Sequence, residues 1–418
     1  MHRSVTATLF FSLISLPLIA ADWPRFRGPD GSGISTEQGL PITWSAKENV
    51  TWKADLPGPG SSSPVFIGDK IFITCWTGYK VPGTPGGAQA DLRRHLLCLD
   101  RKTGKQVWSK EVPAKLPELD VSRDGDGYAS NTPVVDAERV YCFFGKTGVI
   151  AFDHSGKQLW QTDVGDRTGA WGSSASPFLY GDLVIVNASI ESDSVVALDK
   201  ATGAEKWRVK GVKEAWNTPL VVKTKDGKDE LIVPAAKKVL GIDPATGASL
   251  WNCDTDITWY MVPSVVARDG VVYCLGGRSG VVGLAVRTGG KGDVTKTHRL
   301  WTSKKGSNVS SPVYHEGHVY WMNDASGTAF CAKADTGDVV YEERVPRAGG
   351  VYASSLLADG RIYYVGREGR TYVIAAKPKY ELLATNDLSD RSNFDATPVA
   401  VDGRLFIRSG KALYCLSK

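Results

Sequence analysis

Only 3 of the 418 residues are methionine, and the chain is equally poor in features that announce a chemistry. No two of its 7 cysteines are adjacent, and none belongs to a C-x-x-C-H haem-attachment site. There is no G-x-S-x-G, no P-loop and no convincing dinucleotide fingerprint. The 50 Lys/Arg and 45 Asp/Glu are spread without a block of one sign, so a net charge of +5 implies solubility and argues against a nucleic-acid partner. Beyond the N-terminus no segment supplies the ~20 apolar residues of a membrane span. His315-Glu-Gly-His318 has the wrong spacing for a metalloprotease His pair and reads as a β-turn.

What the chain has is glycine, 45 residues, and tryptophan, 13 residues. Without a G-X-Y period this is not collagen, and a 42% hydrophobic content excludes wholesale disorder. Abundant glycine and aromatics predict many tight turns joining short strands.

Residues 1–21 read as a secretory signal peptide: His2 and Arg3 lead, residues 5–19 are mostly apolar, and Ala20-Ala21 offer small residues for cleavage. No cysteine follows, so a lipid anchor is not expected, and the protein is placed in the periplasm or secreted. Cys75, Cys98, Cys142, Cys253, Cys274, Cys331 and Cys415 remain. An odd number leaves at least one unpaired, and their mid-strand settings, as in V-Y-C-F and L-Y-C-L, suit small buried hydrophobes.

Self-similarity organises the rest. One unit reads apolar-x-apolar-Asp-x-x-Thr-Gly-x-x-x-Trp, as in LCLDRKTGKQVW (97–108), VALDKATGAEKW (196–207) and LGIDPATGASLW (240–251). Degraded copies end at Trp160, Trp301, Tyr341 and Leu383. A second unit, small-polar-Pro-apolar followed by a turn and a strand, precedes each, as in SSPVFIGDKIFI from Ser62, NTPVV from Asn131 and SSPVYHEGHVYWM from Ser310. Together the units describe four antiparallel strands, a to d. The Asp can accept turn N–H groups, the Gly supplies positive φ, and the Trp buries a large ring on strand d. The Trp slots recur about every 47 residues, the period of a four-stranded propeller blade. Trp52 has no complete blade before it, and the last half-copy, Ala412–Cys415, has no strand d after it. Residues 50–55 are therefore expected to complete the C-terminal blade and remove an open edge. The prediction is an all-β, eight-bladed propeller over 50–418, with a leader at 22–49, expected as a monomer.

The Asp-x-x-Thr-Gly-x-x-x-Trp unit in eight copies resembles the PQQ-repeat, quinoprotein-like β-propellers, a family that includes quinoprotein alcohol dehydrogenases and the outer-membrane assembly factor BamB. The opening Trp23-Pro-Arg-Phe-Arg-Gly-Pro-Asp-Gly-Ser-Gly33 looks like the leader of exported BamB-like proteins common in planctomycete bacteria. Two departures stand out: no vicinal Cys-Cys pair of the kind many quinoprotein dehydrogenases place against the quinone, and no lipobox cysteine. The resemblance implies a non-catalytic scaffold that binds an envelope protein, peptide or other component. The alternative is a PQQ- and Ca²⁺-dependent oxidoreductase with the cofactor in the channel mouth.

Loops d–a and b–c share one face around the central channel. There Trp171, Trp216 and Trp259 fall outside the strand-d slot, while Arg278 and Arg367 join Lys146, Lys238 and Arg408 on b–c hairpins. Aromatic planes with cations suit a small anionic ligand, a peptide or a glycan. Glu214, Asn217 and Asp395 are the oxygen-bearing candidates for calcium, which takes six to eight oxygens. An alternative stays open: the small polar residues satisfy strand backbone and the Lys/Arg are solvated hairpin tips. Two insertions, 79–95 and 111–130, are candidate partner-contact loops. Asp120, Asp124 and Asp126 in the second lack the Glu of a calcium loop and read as a turn.

Overall fold

The computed structural model describes residues 22–84, 86–118, 127–278 and 282–418. The signal-peptide segment and Asp120, Asp124 and Asp126 lie outside them. Eight antiparallel sheets follow one another along the chain. Blade 1 runs Val65–Ile67, Lys70–Thr77, Arg93–Asp100 and Gln106–Pro113 from the axis outward. The next six repeat this order over 134–162, 178–210, 220–254, 266–303, 313–344 and 356–387. In blade 8 the outermost strand is Val50–Asp55, paired antiparallel with Ala412–Leu416, so the first propeller strand closes the last blade.

The repeated sequence units explain the local structure. In the three full-motif Thr-Gly turns the Asp carboxylate accepts backbone N–H groups: Asp100 from Thr103 at 2.8 Å, Asp199 from Thr202 at 2.9 Å, Asp243 from Ala245 at 2.8 Å. The glycine has a second duty. Gly203 has φ +76, and a Cβ there would stand 2.6 Å from the ring of Trp160, strand d of the preceding blade. The same fit joins Trp52 to Gly104, Trp207 to Gly247 and Trp301 to Gly337. The indole nitrogens of Trp108, Trp160 and Trp301 also donate to carbonyls of the following blade. The repeat Trp is thus a blade-to-blade staple. Trp251 departs from the pattern, donating to Glu230 Oε2 of its own blade at 2.8 Å.

At the axis the small polar residue just before strand a forms a second set of links. The backbone N–H of Ser63 donates to Thr132 Oγ1, Thr132 to Ser176, Ser176 to Thr218, Thr218 to Ser264, Ser264 to Ser311, Ser311 to Ser354, and Ser354 to Thr397. The seam between blades 8 and 1 is secured by Arg408. Its guanidinium is 1% exposed and donates to the Ser62 carbonyl and the Thr74 carbonyl, both at 2.7 Å. Burial pulls its pKa down to about 10. The apolar core is a ring of clusters between neighbouring blades, such as Phe72, Cys98, Val140 and Ile150 between blades 1 and 2.

The leader is woven into this domain. Trp23 exchanges backbone hydrogen bonds with Phe66 of blade 1, and Pro24 accepts from Val135 of blade 2. The chain then crosses the axis. Arg25 stands over the Phe178 ring of blade 3, and Arg27 donates to the Gly31, Ser32 and Pro312 carbonyls. Ile34–Ser35 adds a parallel strand to blade 7, and Leu40 and Trp44 bury in the cluster between blades 7 and 8. The partners lie beside a–b hairpins, so the leader straps the channel end opposite loops d–a.

Candidate functional site

The other end of the channel is open, and loops d–a and b–c build its walls. The cavity measures about 710 Å³, within the range of small-molecule sites. Phe26 of the leader lines it, as do Ser176, Thr218, Ser264, Ser311, Ser354 and Thr397 of the axial links. It is a funnel blind at one end.

One wall is aromatic. Tyr260 has φ +62, a left-handed conformation unusual for an aromatic residue. The neighbouring backbone holds it there: Met261 donates to the Glu214 carbonyl and accepts from the Trp216 N–H, both at 2.8 Å. The Tyr260 ring consequently sits edge-on to Trp171 at 4.8 Å and beside Trp216 at 5.2 Å. Trp259 completes the cluster, 5.9 Å from Trp171. The Arg278 guanidinium lies 5.0 Å from the Trp171 ring and 5.4 Å from Tyr260. Across the funnel Arg367 stands 4.1 Å over Tyr352 and makes a two-pronged ion pair with Asp395, at 2.7 and 3.2 Å. Both arginines also line the adjoining mouth beside Asn308, Asp324 and Glu368.

Five of the eight sequence candidates, Trp171, Trp216, Arg278, Arg367 and Asp395, therefore line one cavity, and Trp259 packs on its aromatic wall. Two do not. Glu214 is exposed and off the cavity wall. Asn217 is 1% exposed, its Nδ2 donating to the Pro234 and Met261 carbonyls; it is a staple between strands, as Asn131 is when it donates to the Ala175 carbonyl. The expectation that the small polar residues satisfy strand backbone holds. The expectation of solvated hairpin cations fails at Arg408 and at Lys146, which is 7% exposed and donates to the Pro117 carbonyl. Lys238 and Arg278 are the exposed tips among the five hairpin cations.

The oxygens proposed for PQQ-linked calcium do not converge: Glu214 is exposed and off the cavity wall, Asn217 Oδ1 is buried and unpartnered but on a residue that does not line the cavity, and both Asp395 oxygens pair with Arg367. These residues do not fit the ion. Among the described residues no group of three or more His, Cys, Asp or Glu could hold a metal. Sequence reasoning missed Tyr352 and Phe26. Tyr352 lies in V-Y-A-S just before strand a, the same setting as Tyr128-Ala-Ser, which was a usable signal.

A second polar cluster lies beside the funnel under the insertions. Arg94 pairs with Glu118 at 2.5 Å with both side chains buried, and Gln89 and Glu118 exchange two hydrogen bonds, tying the two insertions together. Nearby Glu191 is 2% exposed; burial pushes its carboxyl pKa up to about 7.

Eight four-stranded blades, closed by the first strand and opening on one funnel, define a PQQ-repeat-type β-propeller. The model of the family described as "Outer membrane protein assembly factor BamB" matches residues 46–210 and 190–379, and the chain belongs to that family. It is 24% identical over 316 residues to outer membrane protein assembly factor BamB of Yersinia pestis, covering 72% of this chain and 75% of that protein. Among solved structures it resembles BamB from Moraxella catarrhalis, with TM-score 0.62 at 14% identity over 88% of this chain and 97% of that one. It also resembles the quinohemoprotein alcohol dehydrogenase of Comamonas testosteroni, with TM-score 0.67 at 13% identity over 95% and 81%. At such identities the structural likeness is one of fold.

Proposed function

We propose that the protein is a non-catalytic binding scaffold of the bacterial envelope, exported by residues 1–21 and acting in the periplasm or outside the cell, and that it holds an envelope component in the funnel. The observation that carries this reading is the blind cavity whose aromatic and arginine side chains are fixed by one another before any ligand arrives, which lowers the entropy lost on binding. Membership of the BamB family supports the envelope setting, and no helix among the described residues is long and apolar enough to cross a membrane. The PQQ and calcium reading gains no support from the dispersed oxygens.

Immobilised wild type and a Trp171→Ala/Arg278→Gln variant, exposed to envelope extract at several salt concentrations, test the proposal. Wild type is expected to retain a component that the variant loses. Equal retention by both would locate binding elsewhere. Reconstitution with PQQ and Ca²⁺ is expected to give neither a bound chromophore nor dye-linked alcohol oxidation.

A further inference from the structure

The funnel lining combines hydroxyl and guanidinium donors with few carboxylate or amide acceptors, Asn308 Oδ1 being an unpartnered one. Ser176, Thr218, Ser264, Ser311, Ser354 and Thr397 each accept a backbone N–H from the preceding blade. Among the described residues none of these six hydroxyls donates to a protein acceptor, so a crown of O–H groups is left for the lumen. Arg278 adds a guanidinium held on Trp171 and Tyr260, exposed and without a carboxylate partner among the described residues. The one carboxylate in the cavity lining, Asp395, is committed to Arg367. Tyr352, at the mouth, is 37% exposed.

Such a lining discriminates by chemistry. An extended peptide brings an N–H with every C=O in fixed alternation, and each N–H that misses Asn308 Oδ1 or a remaining hydroxyl lone pair would be buried at a cost. A sugar hydroxyl rotates to accept from a donor or to donate to an acceptor, whichever the wall offers, and the C–H faces of a pyranose pack on aromatic rings. A carboxylate accepts only and matches a guanidinium. The blind floor at Phe26 admits a chain end and blocks passage through the axis.

We propose that the funnel binds the end of a uronic-acid-bearing glycan, its carboxylate on Arg278, its sugar faces against Trp171 and Tyr352, and its hydroxyl oxygens on the crown. This rests on the funnel-binding reading above and names the ligand class for it. Calorimetry with trigalacturonate, neutral maltotriose and a triglutamate peptide tests it on the full mature chain. Trigalacturonate is expected to bind, maltotriose at least about tenfold more weakly, and triglutamate not measurably. Arg278→Gln is expected to weaken trigalacturonate about 10- to 100-fold, the span of one charge-assisted hydrogen-bonded contact. Tyr352→Ala, at an exposed position, is expected to weaken both sugars, with unfolding midpoints of both variants unchanged. Triglutamate binding as well as trigalacturonate would overturn the glycan assignment in favour of an acidic peptide. Absent sugar binding, with funnel-dependent retention of an envelope component intact, would overturn the ligand class and leave the scaffold reading standing. Loss of that retention as well would sink both.

Discussion

Glu191 shows how a single buried group can make the fold sensitive to pH. Its carboxyl is raised to about 7 chiefly by burial, beside Ser173, Glu118 and Arg167. A carboxyl with a folded pKa above its unfolded value binds its proton more tightly when folded. Its effect is absent below the unfolded value of about 4.3, and stability declines as pH rises from there towards 7. Glu191→Gln is expected to remove that decline and to stabilise the protein at pH 8 by about 1–3 kcal/mol. Urea unfolding at pH 4.5 and pH 8 reads this directly; a variant less stable than wild type at pH 8 would mean the ionised carboxylate is wanted. At the same scale, the fates of Asn217 and Asp395 explain why the sequence misled. Residue type marks each as a possible ligand, but whether it reaches the lumen depends on neighbours brought from other blades. Asn-Thr-Pro at 131–133 and again at 217–219 did carry a signal, since two copies of one tripeptide in one blade position share one structural task.

At the scale of strands and turns, the propeller is held by repeated contacts between neighbours. The Trp–Gly staple makes two glycines of blade 3 instructive. Gly181 and Gly203 both have positive φ, but a Cβ on Gly181 meets nothing within 4 Å while one on Gly203 meets Trp160. Gly181→Ala is expected to cost about 1 kcal/mol for conformation alone. Gly203→Ala is expected to cost about 2–4 kcal/mol, because the indole must also shift. Similar midpoints for the two variants in urea would remove the staple from the account. The leader makes the same point for an element: Trp23 is 2% exposed and packed in the cluster joining blades 7, 8 and 1. Trp23→Ala is expected to destabilise by about 3–5 kcal/mol; a loss below about 1 kcal/mol would show the strap to be dispensable. Nothing in Trp23–Gly33 has a period, which is why its course across the axis was not legible, although its density of Trp, Phe and Arg set it apart.

The whole molecule was the most legible part, because an eight-fold repeat averages out local ambiguity. Eight copies of the strand-a unit, seven of them with its Pro, and an unmatched half-copy at each end predicted both the blade count and the closing strand. The funnel was legible as a list of side chains and not as a shape: Tyr352 and Phe26 reach it from segments whose role appears only when the ring closes. The cysteines follow the ring as well. All seven are buried and unpaired, with desolvation raising the thiol pKa of each, to about 11 at Cys75. A thiol reagent is expected to modify none in the native protein and all seven in denaturant; fast native reaction at any of them would expose an open seam. The central claim, that partners engage the funnel mouth, is tested most directly by photocrosslinking in envelope extract. A benzophenone amino acid is placed either at position 352, on the mouth, or at position 107, on an outer strand where Val107 is 58% exposed. The account predicts discrete adducts from 352 and none from 107; adducts from 107 with none from 352 would contradict it.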